Sequence, residues 1–158
     1  MERQYTRIDF VRKLLDDEIK CIEDEEIKRC AYVHLYGVGQ DAAFLAMKRG
    51  YDKNTAELAE VAGMLHDYAK YIYDEEENHA EKSSYFAREI LNKIPEFSIS
   101  EIDQICEAIF QHSNKKEVGN FFDEILKDAD EMQHYFRNPM EDYYYQKERI
   151  QNLLKELL

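Results

Sequence analysis

Only two prolines and five glycines interrupt the 158 residues, so helices have few internal breaks. No apolar run approaches the ~20 residues that a helix needs to cross a bilayer. No apolar signal region follows Met1-Glu2-Arg3-Gln4, and a cytoplasmic protein is expected. Cationic side chains are scarce: 21 basic residues face 34 acidic ones, for a formal net charge of −13. A field of that sign argues against nonspecific binding to nucleic acid or to an anionic membrane. An anionic substrate would need a local cationic centre, which a bound metal would supply. Cysteine is limited to Cys21, Cys30 and Cys106, an odd number without zinc-ribbon spacing. These are expected to be reduced, buried thiols, with no base beside Cys30 or Cys106 to make a nucleophile. Strand alternation, internal repeats and low-complexity segments are all missing.

What is present reads as one domain spanning residues 1–158. Apolar residues make up 44% and charged residues 35%, enough for one sizeable core. Helical periodicity and capping signals predict an all-α bundle of about six or seven helices. Thr6-x-x-Asp9 opens a first helix with Val11, Leu15 and Ile22 inward. Glu23 to Glu26 starts a second, whose stripe runs Ile27, Ala31, His34, Val38, Ala42, Leu45 and stops at Gly50. Asn54, with Glu57 as capping-box partner, opens a helix carrying Leu58, Ala62, Leu65 and Ala69. Asp74 to Glu77 reads as a solvated loop or a helix start without a function of its own. Asn78-x-x-Glu81 and Ser98-x-x-Glu101 cap the next two helices, separated by Pro95. Residues 114–120 form a loop before a helix through Phe122, Leu126 and Ala129. Asn138-Pro139 signals a helix restart, and the last helix packs through Ile150, Leu153, Leu154 and Leu157.

The chemistry concentrates at His66-Asp67, an imidazole and a carboxylate set against an apolar stripe. Burying that pair without a compensating partner would cost several kcal/mol. His34, His79 and His112 also fall in the apolar stripes of their helices. One histidine on an apolar face is ordinarily a satisfied core residue. Four of them, on four helices packed around one core, would be brought toward a shared centre. Imidazole is the commonest protein metal ligand, and Asp67 with Asp128 or Asp130 would complete a site for one metal or a close pair. Periodicity does not choose between the two late aspartates: Asp128 continues Phe121 and Ile125, Asp130 continues Phe122 and Leu126.

The order His34, then Ala62-Gly63-x-Leu65-His66-Asp67-x-Ala69-Lys70, then Ala129-Asp130 resembles the HD-domain metal-dependent phosphohydrolases. The likeness covers roughly Ala31 to Met132. It implies an HD-type helical bundle and favours Asp130, the aspartate after alanine; Asp128 could still orient a ligand as an acceptor. His79 and Ala108-Ile109-x-x-His112-Ser113 look like additions found in the bacterial branch with a two-metal centre that symmetrically hydrolyses diadenosine tetraphosphate. That branch typically carries a Pro and an Arg soon after the final Ala-Asp; Glu131-Met132-Gln133-His134 departs from it, and the segment from Lys70 to His79 is short.

The resemblance implies that His34, His66, Asp67 and Asp130 hold one ion, that His79 and His112 hold a second, and that Asp67 bridges them. Iron is favoured and manganese fits the same imidazole–carboxylate set. The implied reaction is hydrolysis of a nucleotide or dinucleoside polyphosphate, a metal-bound water attacking phosphorus, with Asp67 and Lys70 as catalytic residues. Lys70 or Arg137 could neutralise phosphate charge, and His134 could relay a proton or be a surface residue. Tyr68, Tyr71 and Tyr73 could stack a base, while Tyr143-Tyr144-Tyr145 reads as packing or an interface; a homodimer is compatible with this. The competing readings are a single-metal nucleotide phosphomonoesterase and a metal-binding regulatory module without turnover. A histidine-lined haem or structural site leaves Asp67, Asp130 and Lys70 unexplained.

Overall fold

The computed structural model describes residues 4–141 and 147–158, and these contain eight helices and no strand. In chain order they are α1 (Arg7–Lys20), α2 (Glu25–Lys48), α3 (Lys53–Leu65), α4 (Tyr68–Tyr73), α5 (His79–Leu91), α6 (Ile99–Gln111), α7 (Phe121–Arg137) and α8 (Lys147–Leu157). The all-helical expectation holds, and α4 is a short segment set off by a break at His66-Asp67. Tyr143-Tyr144-Tyr145 lies outside the described residues. No helix among them is long and apolar enough to cross a membrane.

α2 and α3 form the spine. A Cβ on Gly63 would lie 2.6 Å from Gly39 Cα, so the two helix backbones touch with no room for a side chain. This crossing brings His34 on α2 beside His66 at the end of α3. α7 packs along α2 from the other side, and α4, α5 and α6 close the remaining flank. Leu15, Leu35, Leu45, Leu65, Ile105, Ile109 and Ile125 are fully buried, each contributing on the order of 1.5–3 kcal/mol of apolar transfer free energy.

Local chemistry sets most helix starts. The Asp9 carboxylate accepts from the Thr6 N–H and hydroxyl at 3.0 and 2.8 Å. Ser98 and Glu101 form the expected capping box, and Asn120 and Asp123 form another at α7. Several starts differ from expectation. α3 is capped by Asp52, whose side chain accepts from the Thr55 N–H at 2.8 Å. Asn54 and Glu57 accept instead from Arg7 of α1, at 2.8 and 2.5 Å. A long-range guanidinium thus captures both expected capping groups. Asp24 caps α2, and Ile27, in its first turn, is 45% exposed. Asn78 makes no side-chain cap; it takes a left-handed backbone conformation ahead of α5. Asn138 ends α7, Pro139 lies in a turn, and the final helix begins at Lys147. Cys106 is buried as expected, Cys30 is partly buried and Cys21 is exposed. Burial pushes the Cys106 thiol up to about 11, which keeps it protonated and unreactive at neutral pH.

Candidate metal centre

α3 ends at Leu65, and the chain turns at His66 and Asp67 before α4 resumes. That break lets both side chains point into the space between α2, α5, α6 and α7. His34 comes from the middle of α2, His79 from the first residue of α5, His112 from the C-terminal cap of α6, and Asp130 and His134 from successive turns of α7. All five histidines of the chain meet there. Their rings form a connected series: His134 to His34 at 4.6 Å, His34 to His66 at 5.0 Å, His66 to His112 at 4.9 Å and His112 to His79 at 5.2 Å.

Four of these rings are held by Nδ1. His66 donates to Gly63 O and His112 to Ile109 O, each at 2.6 Å, and His79 to Glu76 O at 3.0 Å. His34 Nδ1 lies 2.6 Å from Gln133 Oε1. A carbonyl oxygen only accepts, so each Nδ1 carries a proton and Nε2 is the ring atom left for the centre, a free lone pair whenever the ring is neutral. Those Nε2 atoms face the carboxylates. His34 and His66 lie 3.4 and 3.5 Å from Asp67 Oδ2, and 3.3 and 3.5 Å from Asp130 Oδ1. His79 and His112 lie 3.4 and 3.2 Å from the other oxygen, Asp67 Oδ1. The Nε2 atoms of His34 and His66 are themselves 3.2 Å apart.

Lone pairs facing lone pairs at these distances are unfavourable unless positive charge lies between them. Asp67 Oδ1 and Asp130 Oδ1 are buried and have no hydrogen-bond partner. Burial alone would raise both carboxylates. The surrounding imidazoles overcome it at Asp67, and the Lys115 charge with His134, His34 and His66 does so at Asp130, holding both well below the usual range. Burial opposes charge on His34, yet Asp130 and Asp67 outweigh it and raise that ring to about 9. Surroundings that draw a proton so strongly also draw a metal cation. The spacing fits: nitrogen and oxygen ligands about 2.0–2.2 Å from one ion sit roughly 3–3.5 Å from each other. The donor set, neutral imidazoles with carboxylates and no thiolate, suits a first-row transition metal. His34, His66 and Asp67 form one candidate ligand group, and Asp67, His79 and His112 another.

The structure therefore brings His34, His66, Asp67, His79, His112 and Asp130 together. Asp128 lies apart: it accepts from Arg49 and Arg149 at 2.6 and 2.7 Å, and so is not beside the histidines. Lys70 is one third exposed, with Nζ 3.3 Å from Glu76. Of the three tyrosines after Asp67, Tyr71 borders the site, 5.9 Å from His34. Tyr68 is buried and Tyr73 stacks on Phe86 at 4.6 Å. His134 reaches the site's edge, with Nε2 3.4 Å from Asp130 Oδ1. Two participants carried no sequence signal. Gln133 adjoins His34, 99 residues away, and Lys115 places Nζ 2.6 Å from Asp130 Oδ2.

The crystal structure of a protein described as a predicted HD superfamily hydrolase, from an uncultured Thermotogales bacterium, has a similar fold. The TM-score is 0.61 at 18% identity, covering 94% of this chain and 91% of that one. No curated protein matches the chain. The family model of the HD domain matches residues 31–149, a span that runs from the helix of His34 past Asp130 and contains every side chain of the cluster. The chain belongs to the HD-domain family.

Proposed function

We propose that this protein is a metal-dependent phosphohydrolase with a two-metal centre, acting on a nucleotide or a dinucleoside polyphosphate. The observation that carries the reading is the split of the Asp67 carboxylate: Oδ2 faces His34 and His66, while Oδ1 faces His79 and His112. A single carboxylate addressing two separate imidazole pairs suits a bridging ligand. His34, His66, Asp67 and Asp130 would hold one ion, and His79 and His112 the other, with iron favoured and manganese a fit. Bound there, such a pair supplies Lewis-acid charge and lowers the pKa of water to near neutrality.

The chain's own residues prepare the rest. Carbonyl acceptors on Nδ1 fix the orientation of each imidazole, so that Nε2 is the atom offered to a metal. Lys70, partly exposed four residues beyond His66 and 3.3 Å from Glu76, would supply positive charge for phosphate oxygens. Tyr71 offers a partly buried aromatic face at the edge of the site, where a base can rest. In a chain of net charge −13, a bound metal pair would be the cationic centre that a polyanion requires.

A single-metal phosphomonoesterase is the second reading. It is favoured by the exposure of the His79 side chain, 24% against 0–2% for His34, His66 and His112. Metal analysis of the purified protein, beside a phosphate-release screen over nucleotides and dinucleoside polyphosphates, tests both. About two ions per chain and release from a dinucleoside polyphosphate are expected. One ion with release only from monophosphates selects the second reading. No metal and no release in any reconstituted sample sinks both.

A further inference from the structure

We infer that Lys115 is a positioning residue for Asp130, and that Arg149 of the C-terminal helix holds Lys115 in place. The inference rests on the proposal that Asp130 is a metal ligand. A carboxylate turns easily about its last torsion, which is broad and roughly two-fold. Asp130 nevertheless presents one oxygen to the centre: Oδ1 lies 3.3, 3.5 and 3.4 Å from the Nε2 atoms of His34, His66 and His134. Its other oxygen is taken by Lys115 Nζ at 2.6 Å. Both side chains are largely shielded, 13% and 8% exposed, so water competes little for that contact. With Oδ2 engaged, Asp130 can offer a metal only one oxygen.

Lys115 sits in the loop between α6 and α7, where an unsupported lysine would have many rotamers and a mobile backbone. This loop is pinned at three points. Arg149 Nη2 donates to Lys115 O at 2.9 Å. Lys127, 1% exposed, donates to Glu117 O at 2.9 Å, and the Gly119 N–H donates to Glu124 Oε1 at 2.9 Å. Arg149 is itself fixed by Glu124 and Asp128, each at 2.7 Å. A continuous path thus runs from α8 through the Lys115 backbone and ammonium to Asp130. Asp128 serves that path as an anchor for Arg149.

The test uses Mn2+ alone as probe, on full-length protein stripped of metal, with affinity read by titration and folding by a melting curve. Lys115→Met should weaken Mn2+ binding about tenfold or more, the usual effect of removing a partner that orients a ligand. Lys115→Arg should restore most of it. Arg149→Met should weaken binding in the same direction, and the double variant should be no weaker than the worse single one. Arg7→Met, which cuts the tie of α1 to α3 and α6 through Glu57 and Glu101, should lower the melting temperature and leave Mn2+ affinity unchanged. Lys115 also places a positive charge near the centre, and losing charge alone would tighten cation binding. Tighter or unchanged binding in Lys115→Met overturns the inference, and strictly additive losses overturn the part played by Arg149. Should Lys115→Met not fold, Lys115→Gln carries the same test. Wild-type protein that binds no Mn2+ or other transition metal would overturn the metal-centre proposal itself, a result distinct from a functioning centre indifferent to Lys115.

Discussion

His34 Nδ1 and Gln133 Oε1 lie 2.6 Å apart, joining the middle of α2 to the end of α7 across 99 residues of sequence. The amide oxygen accepts the Nδ1 proton and so points the Nε2 of His34 at Asp67 and Asp130. Gln133 passes close over Gly37, where a Cβ would approach its Cγ to 3.0 Å. Gln133→Leu keeps much of the volume and removes the acceptor. It should weaken Mn2+ binding roughly 10–100-fold, while Gln133→Glu, which keeps an acceptor, should retain most of it. Metal titration of the two variants checks this; equal loss in both would assign Gln133 to packing.

The two faces of Asp67 give a second expectation. Asp67→Ala should remove metal and phosphohydrolase activity together, because one carboxylate addresses both imidazole pairs. His79→Ala or His112→Ala should lower the metal content from about two toward one and collapse turnover while the fold persists. Core histidines without a metal role would instead cost about 1–3 kcal/mol of stability and leave metal content unchanged. Elemental analysis beside melting curves separates these outcomes.

The fold and most of the cluster were legible because helical period places side chains on a face wherever the helix stands. His34, His66 and His112 sit in apolar stripes, and a stripe is a statement about burial. What escaped was long-range. Asn54 and Glu57 carry a capping signal, yet Arg7 from another helix takes both and Asp52 caps the helix two residues earlier. Ile27 fits its stripe but lies in the first turn of α2, before the neighbouring helices cover it. Lys115 belongs to a loop, which has no period, and Gln133 meets His34 only through the α2–α7 packing. Periodicity was also neutral between Asp128 and Asp130; the two arginines that hold Asp128 away from the histidines come from α8 and from the end of α2.

The α2–α3 crossing yields a prediction about architecture. Gly63→Ala would drive its methyl to 2.6 Å from Gly39 Cα and N and 2.7 Å from Val38 C, all backbone atoms that cannot step aside. The helices must part, and overpacking of this kind costs roughly 1–3 kcal/mol or more. Because Gly63 O also accepts from His66 Nδ1, the same substitution should weaken metal binding. A lower melting temperature with reduced metal content is expected; a wild-type melting curve would refute the close crossing.

Asp41, one turn beyond Val38 on α2, makes stability depend on pH in a defined direction. Burial raises its carboxyl to about 6, with the His34 charge pulling weakly the other way. An acid whose pKa is higher folded than unfolded binds its proton more tightly in the native state. Its contribution therefore favours folding below the unfolded value of 3.8, declines as pH rises from there, and is lost above about 6. The side chain keeps substantial contact with water, which screens the effect to about 1 kcal/mol. Asp41→Asn stays neutral at every pH. The variant should melt higher than wild type at pH 7 and converge with it near pH 4, measured in chelator so that metal binding does not contribute. A variant less stable than wild type at pH 7 would show that the Asp41 carboxylate is stabilised by charge, and the pH dependence would then run in the opposite direction.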